Sequence, residues 1–359
     1  MDSQPLNFQS VGVILCIEGK KLYRWYKEVL SGFLDPGQQV LLHKYDTKEK
    51  DKDKKEHPVQ VPILKVENLG AKMCIDEKHI GDHMYTILSN RESGKIAMVA
   101  CTLKVATLTK ILENFGDKKF EVRSISRDLS ESFNWVCRQS FMNATHVADK
   151  FHVLCHLFGA SQDMRVFHRQ KVLSQRRILF DEFQNKEFER AGQCMKDGKK
   201  FVPGEFLFKE PRLANGETLR ELLARSRYLL YKFQNQWTSK QQERAEVLFG
   251  KYPDLKIAYD LSGIFRNWYS KSNIGKDKNY LLGQLHQWYG LVEKTGIEEL
   301  LNFKSLVERN QSYILNYFNM GESNAMAEGI NSRIQQFIHS NKGVRDKDFF
   351  FFRLAKFYA

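Results

Sequence analysis

Apolar residues follow three different rhythms along the chain. Between residues 8 and 34 Leu22, Trp25, Tyr26 and Val29 fall at helical spacing, with Lys20, Lys21, Arg24 and Lys27 left outward. The pattern predicts two helices separated by a break at Ile17-Glu18-Gly19. From His43 to Pro58 six lysines alternate with five acids and apolar residues almost vanish. That composition predicts a linker or a solvated helix that buries nothing. Beyond it the period falls to two, and short strands are expected over 72–76, 83–88 and 95–103, separated by turn chemistry at Gly81-Asp82 and Asn90 to Gly94. A helix over 105–116, a strand over 119–126, a helix over 130–140 and a strand over 145–148 follow. After Phe151 the pattern is helical and without a strand, with Trp237, Trp268 and Trp288 read as core. In the last long helix Ser323 or Asn324 is the expected N-cap. Ile330, Ile334 and Phe337 recur there as a buried face, leaving Glu328, Asn331, Ser332 and Gln335 on the other. Phe349 to Phe352 is too short for a membrane span and should pack into a core.

Three antiparallel strands followed by helix, strand, helix, strand and helix is the order of a ribonuclease-H-like α/β fold. The expected layout is a helix-turn-helix region over 1–42, a charged linker over 43–65, a mixed-sheet catalytic core from 66–160 and 315–359, and an all-α insertion over 161–314. In such a fold the first and fourth strands lie side by side, so Asp76 and Asp128, each at a carboxyl end, come within reach of shared cations. Two divalent ions need several hard oxygen ligands from separate elements, and Glu328 on the late helix is the expected third. Glu77 follows Asp76 immediately and should point to the opposite strand face, so it is not counted as a ligand.

Charge then narrows the partner. Lys and Arg number 56 against 43 Asp and Glu, a formal net charge of +13 that favours a polyanion such as nucleic acid. The first helix pair fits a helix-turn-helix, whose second helix would enter a major groove, and equally an ordinary helical hairpin with a solvated basic face. The closing segment carries Arg333, Lys342, Arg345, Lys347, Arg353 and Lys356 against Asp346 and Asp348 and reads as a phosphate-gripping end. Six cysteines without a CxxC pair indicate neither a zinc ribbon nor a disulfide framework. Met1 to Pro5 lacks a signal-peptide pattern and no apolar run spans a bilayer, so a cytoplasmic, nucleoid-associated protein without membrane contact is expected.

Read together, Ile75-Asp76-Glu77-Lys78, Arg127-Asp128-Leu129, Val147 to Val153, and Ser323-Asn324 with Glu328-Gly329-Ile330-Asn331 resemble the insertion-sequence DDE transposases of the ISL-three family. The resemblance covers residues 66 to 359. It implies a triad of Asp76, Asp128 and Glu328 holding two Mg²⁺ or Mn²⁺ ions, with Asp149 and His152 supporting it from behind. On residues alone, Asp149, His152 and His156 also have the helical spacing of a zinc site, or of a capping Asp with packed histidines. The family often begins with a cysteine-rich zinc module. Its absence here leaves the N-terminal helices, through Lys20, Lys21, Arg24 and Lys27, to recognise element ends, with Arg333, Lys342 and Arg345 adding phosphate contacts. The implied activity is metal-dependent cleavage of double-stranded DNA at element ends and strand transfer into target DNA by a homo-oligomer. The competing expectations are a ribonuclease-H-type nuclease that cuts without joining, and a non-catalytic DNA-binding descendant of a transposase.

Overall fold

The computed structural model describes residues 6–35, 43–50, 56–320, 325–341 and 344–359, and for 43–50, 56–57, 320 and 325–328 the backbone alone. The chain divides into two compact units, Met1–Val153 with Asn310–Ala359, and Leu154–Arg309. No helix among the described residues is long and apolar enough to cross a membrane.

The first unit opens with helices α1 (Phe8–Ile14) and α2 (Gly19–Trp25) and a two-stranded ribbon, β1 (His43–Lys50) against β2 (Glu56–Val61). It continues with β3 (Ile63–Leu64), β4 (Lys72–Ile80), β5 (His83–Asn90), β6 (Ile96–Ala100), α3 (Val105–Leu112), β7 (Ser124–Arg127), α4 (Glu131–Ser140) and β8 (Thr145–Ala148). Helix α5 (Lys150–Lys196) runs on into the second unit. That unit holds α6 (Leu219–Arg225), α7 (Ser239–Lys251), α8 (Pro253–Trp268), α9 (Lys278–Thr295) and α10 (Glu298–Arg309). The chain returns to the first unit with α11 (Gln311–Met320), α12 (Ala325–Ser340) and α13 (Lys347–Tyr358).

Six strands form one sheet in the order β3-β6-β5-β4-β7-β8, antiparallel from β3 to β4 and parallel from β4 through β7 to β8. This is the mixed sheet of the ribonuclease-H-like expectation, with first and fourth core strands adjacent. Alternation sorts its side chains between two layers. Leu88 opposite Met98, with Met73, Ile75 and Ile125, packs on Leu108 and Ile111 of α3 and Phe133 and Val136 of α4. Ile87 opposite Val99, one residue out of phase, packs with Tyr85 on Ile330, Ile334 and Phe337 of α12 and Phe350, Phe351 and Leu354 of α13. A sheet covered on both faces needs runs that are apolar in every position, as Ile96 to Ala100 is.

Several expectations are corrected. Residues 43–50 and 56–58 are not a solvated helix but strands of an antiparallel ribbon paired from His43↔Val61 to Lys50↔Glu56; residues 51–55 of that expectation lie outside the described residues. Such a ribbon satisfies backbone groups of both strands by mutual pairing, and register sets position 50 opposite position 56. Its second strand carries the buried Val59 and Val61 and leads into the buried Ile63 of β3. The strand expected over 119–126 begins only at Ser124, where both neighbours become available through Lys72↔Ser124 and Ser124↔Thr145. Before it, Glu113–Glu121 is a 3-10 segment broken by Gly116 at φ 55°. Trp25 and Val29 do not join the buried face. Tyr26–Leu30 widens into a π turn, which rotates later residues out of helical phase, and only Leu22 and Tyr26 are buried.

The N-terminal hairpin packs within the first unit, with Phe8, Leu22 and Tyr26 against Phe349 and Phe352 of α13. Its two helices cross at glycine. A Cβ on Gly12 would stand 2.5 Å from the Ile17 carbonyl oxygen and 3.1 Å from the Gly19 Cα, both backbone atoms that cannot swing away. In the second unit the core gathers Phe265, Trp268, Trp288 and Phe303, with each indole N–H donated to a helix carbonyl, Trp268 to Leu281 and Trp288 to Leu261.

Gly12→Ala should therefore force the hairpin apart and cost about 1–3 kcal/mol in urea unfolding, while Ser10→Ala, exposed on the same helix, should stay within about 0.5 kcal/mol. Equal midpoints for the two variants would refute the close crossing.

Candidate active site at the carboxyl edge of the sheet

Backbone register aligns three acids. The ladders pair Ile75 with Arg127 and Arg127 with Ala148. The residues that follow are Asp76, inside β4, which runs on to Ile80, and Asp128 and Asp149, the first residues past β7 and β8. In parallel strands every carboxyl end leaves the sheet on the same edge, and neighbours lie roughly 4.8 Å apart. Asp76 also shares a face with Ile87, its partner across β5, on the side that α12 covers.

Each acid is fixed by nearby N–H donors. Asp76 Oδ1 accepts the Glu77 amide at 2.8 Å, Asp128 Oδ1 the Ser130 amide at 2.9 Å, and Asp149 Oδ1 the Phe151 amide at 2.8 Å. Ser130 then caps α4 through the Phe133 amide, and the Asp149 amide donates to the Arg127 carbonyl at 2.7 Å. Arg127 is buried and braces the strand end: its guanidinium donates to the Asp128 carbonyl at 2.8 Å and to Asn134 Oδ1 at 3.0 Å, and lies 4.5 Å from the Tyr313 ring.

His152, one turn into α5, reaches back over the row. Its Nε2 lies 3.6 Å from Asp76 Oδ1 and 4.0 Å from Asp149 Oδ2. The hydrogen bond to Asp76 leads a set of carboxylate interactions, including Asp149 and Asp128, that outweigh burial and raise its pKa from 6.5 to about 9. The same field, behind burial as the leading cause, pushes the Cys74 thiol up through Asp149 and Asp76. Glu77 is exposed, yet burial of part of its carboxyl, then Asp128 and Asp76, raises its pKa. It is on the far face from Asp76, as alternation requires, but within the electrostatic reach of the row.

The remaining predicted residues divide. Glu328 lies on the backbone of α12, and its side chain is outside the described residues, as are Lys342, Ser323 and Asn324. Three residues beyond position 328, Asn331 donates from Nδ2 to Asp76 Oδ2, a contact that no sequence spacing announces. Lys20, Lys21, Arg24 and Arg345 are exposed. Lys20 and Arg345 line one groove of about 410 Å³ beside Tyr23 and Arg353. Two of the predicted basic contacts are spent internally: Lys27 Nζ is 2.5 Å from Asp346 Oδ2, and Arg333 donates to the Gly94 carbonyl at 3.2 Å. Among the described residues no group of three or more His, Cys, Asp or Glu is arranged to hold a metal ion. Asp149 serves as the cap of α5, and Asp149, His152 and His156 form no zinc cage. Asp76 and Asp128, one residue beyond the paired Ile75 and Arg127 of adjacent parallel strands, are hard oxygen donors of the kind that suits Mg²⁺ or Mn²⁺.

A family model described as "Transposase", that of the ISL-three DDE group, matches residues 73–354. No curated protein sequence matches the chain. The matched span begins inside β4, three residues before Asp76, and ends inside α13.

The raised pKa of His152 has a measurable sign. Because the folded value exceeds the unfolded 6.5, the stabilisation is complete below about 6.5 and is lost as pH rises through about 9. Ring-nitrogen NMR of the metal-free protein should show one imidazole still protonated at neutral pH and titrating near 9, absent in His152→Gln. A histidine set titrating wholly around 6.5 would rule out the contact.

Proposed function

The chain belongs to the ISL-three family of DDE transposases, and on that premise we propose that it cuts DNA at the ends of an insertion sequence and joins them to target DNA, using Asp76, Asp128 and Glu328 to hold two divalent cations. The observation that carries this reading is the strand register that brings Asp76 and Asp128 level on adjacent parallel strands, with α12, the helix of position 328, docked beside Asp76. Three carboxylates from two strands and a late helix give the separate oxygen donors that a pair of hard cations needs. Bound Mg²⁺ or Mn²⁺ supplies a lowered pKa for the attacking water and charge stabilisation for the leaving oxygen.

The side chains then have distinct tasks. Asp76 and Asp128 are held by strand register and by the Glu77 and Ser130 amides, so little reorganisation remains when a cation arrives. His152, protonated, offsets the mutual repulsion of the row before cations do. Arg127 keeps the end of β7 from fraying by tying its guanidinium to Asn134 and the Asp128 carbonyl. Asp149 caps α5 and orients His152 rather than serving as a ligand.

Phosphate contacts fall to the exposed Lys20, Lys21 and Arg24 of α2 and to Arg345, with α1 and α2 as the element-end reader. Lys27 and Arg333 hold α2 and α12 in place through Asp346 and Gly94 and act on DNA only through that placement. Holding two element ends together calls for a homo-oligomer on DNA.

Two measurements test this. Asp76→Asn should abolish Mg²⁺-dependent cleavage and joining on end-containing duplexes while leaving DNA affinity within about threefold, since a neutral isostere removes a metal ligand and no phosphate contact. Full activity in the variant would sink the assignment, and cleavage without joined product in the parent would favour a simple nuclease. Replacing Lys20, Lys21 and Arg24 together by alanine should flatten the plot of log affinity against log salt by about 2.7, at roughly 0.9 for each phosphate no longer neutralised. An unchanged slope would remove α2 from the interface.

A further inference from the structure

We propose that Asn331 is a positioning residue for the metal centre: its carboxamide ties the helix that carries the third acid to Asp76, so that cation affinity depends on a side chain that is not itself a ligand. The inference rests on the reading of Asp76, Asp128 and Glu328 as the metal-holding set.

The partners of Asp76 are unequal in origin. Oδ1 accepts the amide of the next residue, Glu77, and faces His152. Oδ2 accepts Asn331 Nδ2, from a residue 255 positions away. A carboxylate only accepts, so the amide nitrogen is the atom that faces it, and a nitrogen carrying two hydrogens does not ligate a cation. Asn331 therefore acts on the centre through Asp76.

Other contacts of α12 leave this task open. Ile330, Ile334 and Phe337 seat the helix on the sheet and set its rotation about its own axis. Arg333 reaches the Gly94 carbonyl, at the turn between β5 and β6, and stacks 5.4 Å from the Tyr358 ring. Gly94 follows closely on Asn90, the partner of Met73 at the amino end of β4, away from Asp76. Asn331 joins the first turns of α12 directly to Asp76 on β4. Residues three apart on a helix share a face, so the position of Glu328 lies one turn from the fastening point on the Asp76 side.

The chemistry favours a neutral donor there. Three carboxylates drawn to one place repel until cations arrive, and with the His152 imidazole already facing Oδ1, a second cationic group on Oδ2 would compete with those cations for Asp76. A carboxamide orients the carboxylate through one N–H and adds no charge. Without it, Asp76 regains its rotamer freedom and the end of α12 loosens, and cation binding must then order both.

The test is Mn²⁺ binding to the DNA-free protein, read by electron paramagnetic resonance of free Mn²⁺, for the parent, Asn331→Leu, Asn331→Ala and Asp76→Asn. Leucine keeps the volume and removes the donor, and alanine covers the case in which leucine disturbs packing. Both variants should bind Mn²⁺ about 10- to 100-fold more weakly. Their half-saturating Mn²⁺ for cleavage should rise by the same factor, with the plateau recovered at high Mn²⁺ and DNA affinity unchanged. A lower melting temperature with unchanged Mn²⁺ affinity of the folded protein means a merely structural role and overturns the proposal. Asp76→Asn separates the two levels: if it binds Mn²⁺ as tightly as the parent, the metal assignment itself fails. If it loses binding while both Asn331 variants keep the parent affinity, only the positioning role fails.

Discussion

The parallel ladder running from β4 through β7 to β8 is the constraint on which the candidate site depends. Its hydrogen bonds fix which residues stand level, and the same register that buries Ile75, Ile125 and Val147 delivers Asp76, Asp128 and Asp149 level with one another, where β7 and β8 end and β4 runs on to Ile80. A slip of one residue would send each acid to the other face and each apolar neighbour to the polar edge, so core packing and carboxylate alignment protect one another. The cost is repulsion among like charges. It is offset locally, by one backbone N–H on each acid and by a histidine that keeps its proton to about pH 9 in their field.

Much of this is legible in the residues, and the reason is that the legible parts are local. Period-two runs give strands wherever one segment's alternation is enough, and the order of strands and helices then places the first and fourth strands together, with Asp76 and Asp128 level; that the first runs on past Asp76 to Ile80 is set by its pairing with β5. What is illegible depends on partners remote in sequence. The ribbon over 43–61 reads as a linker because alternating charge looks the same whether or not a second strand pairs with it. The start of β7 at Ser124 is set by where β4 and β8 begin. Val29 fits a helical face, but a π turn shifts the phase beneath it, and Trp25, just ahead of that turn, stays exposed with the Lys21 ammonium 4.7 Å from its ring. Lys27 and Arg333 count as positive charge in a composition and turn out to be tied to Asp346 and Gly94. Asn331 falls on the polar face of its helix, and only the docking of that helix reveals its partner.

The run Phe349 to Phe352 explains how the end of the chain joins two regions. An amphipathic helix would leave some of four successive positions in solvent, yet all four rings are buried. Phe349 and Phe352 meet the N-terminal hairpin, while Phe350 and Phe351 meet α12 and the sheet. Arg353 lies between, 4.8 Å from the Phe8 ring, 5.6 Å from Tyr26 and 5.2 Å from Phe337, with Asn341 accepting from its guanidinium. Helix α13 is thus the common support of the helices proposed to read DNA and of the helix proposed to complete the metal centre.

Residues 154–309 form a unit of their own, in sequence between β8 and α11. Closing so long an excursion costs little extra, because loop entropy grows only with the logarithm of length. What matters is that its two ends are secured at one place. The chain leaves through α5 directly after β8 and returns through α11, which packs on that same strand. Asn316 Nδ2 donates to the His146 carbonyl at 2.8 Å, the Tyr313 ring stacks on His146, and the Lys150 ammonium lies 3.3 Å from the Tyr317 hydroxyl. Because Tyr313 also covers Arg127, the closure that returns the chain is built onto the residue bracing Asp128. Damage to that closure would reach the acid row through Arg127 before it reached the fold as a whole.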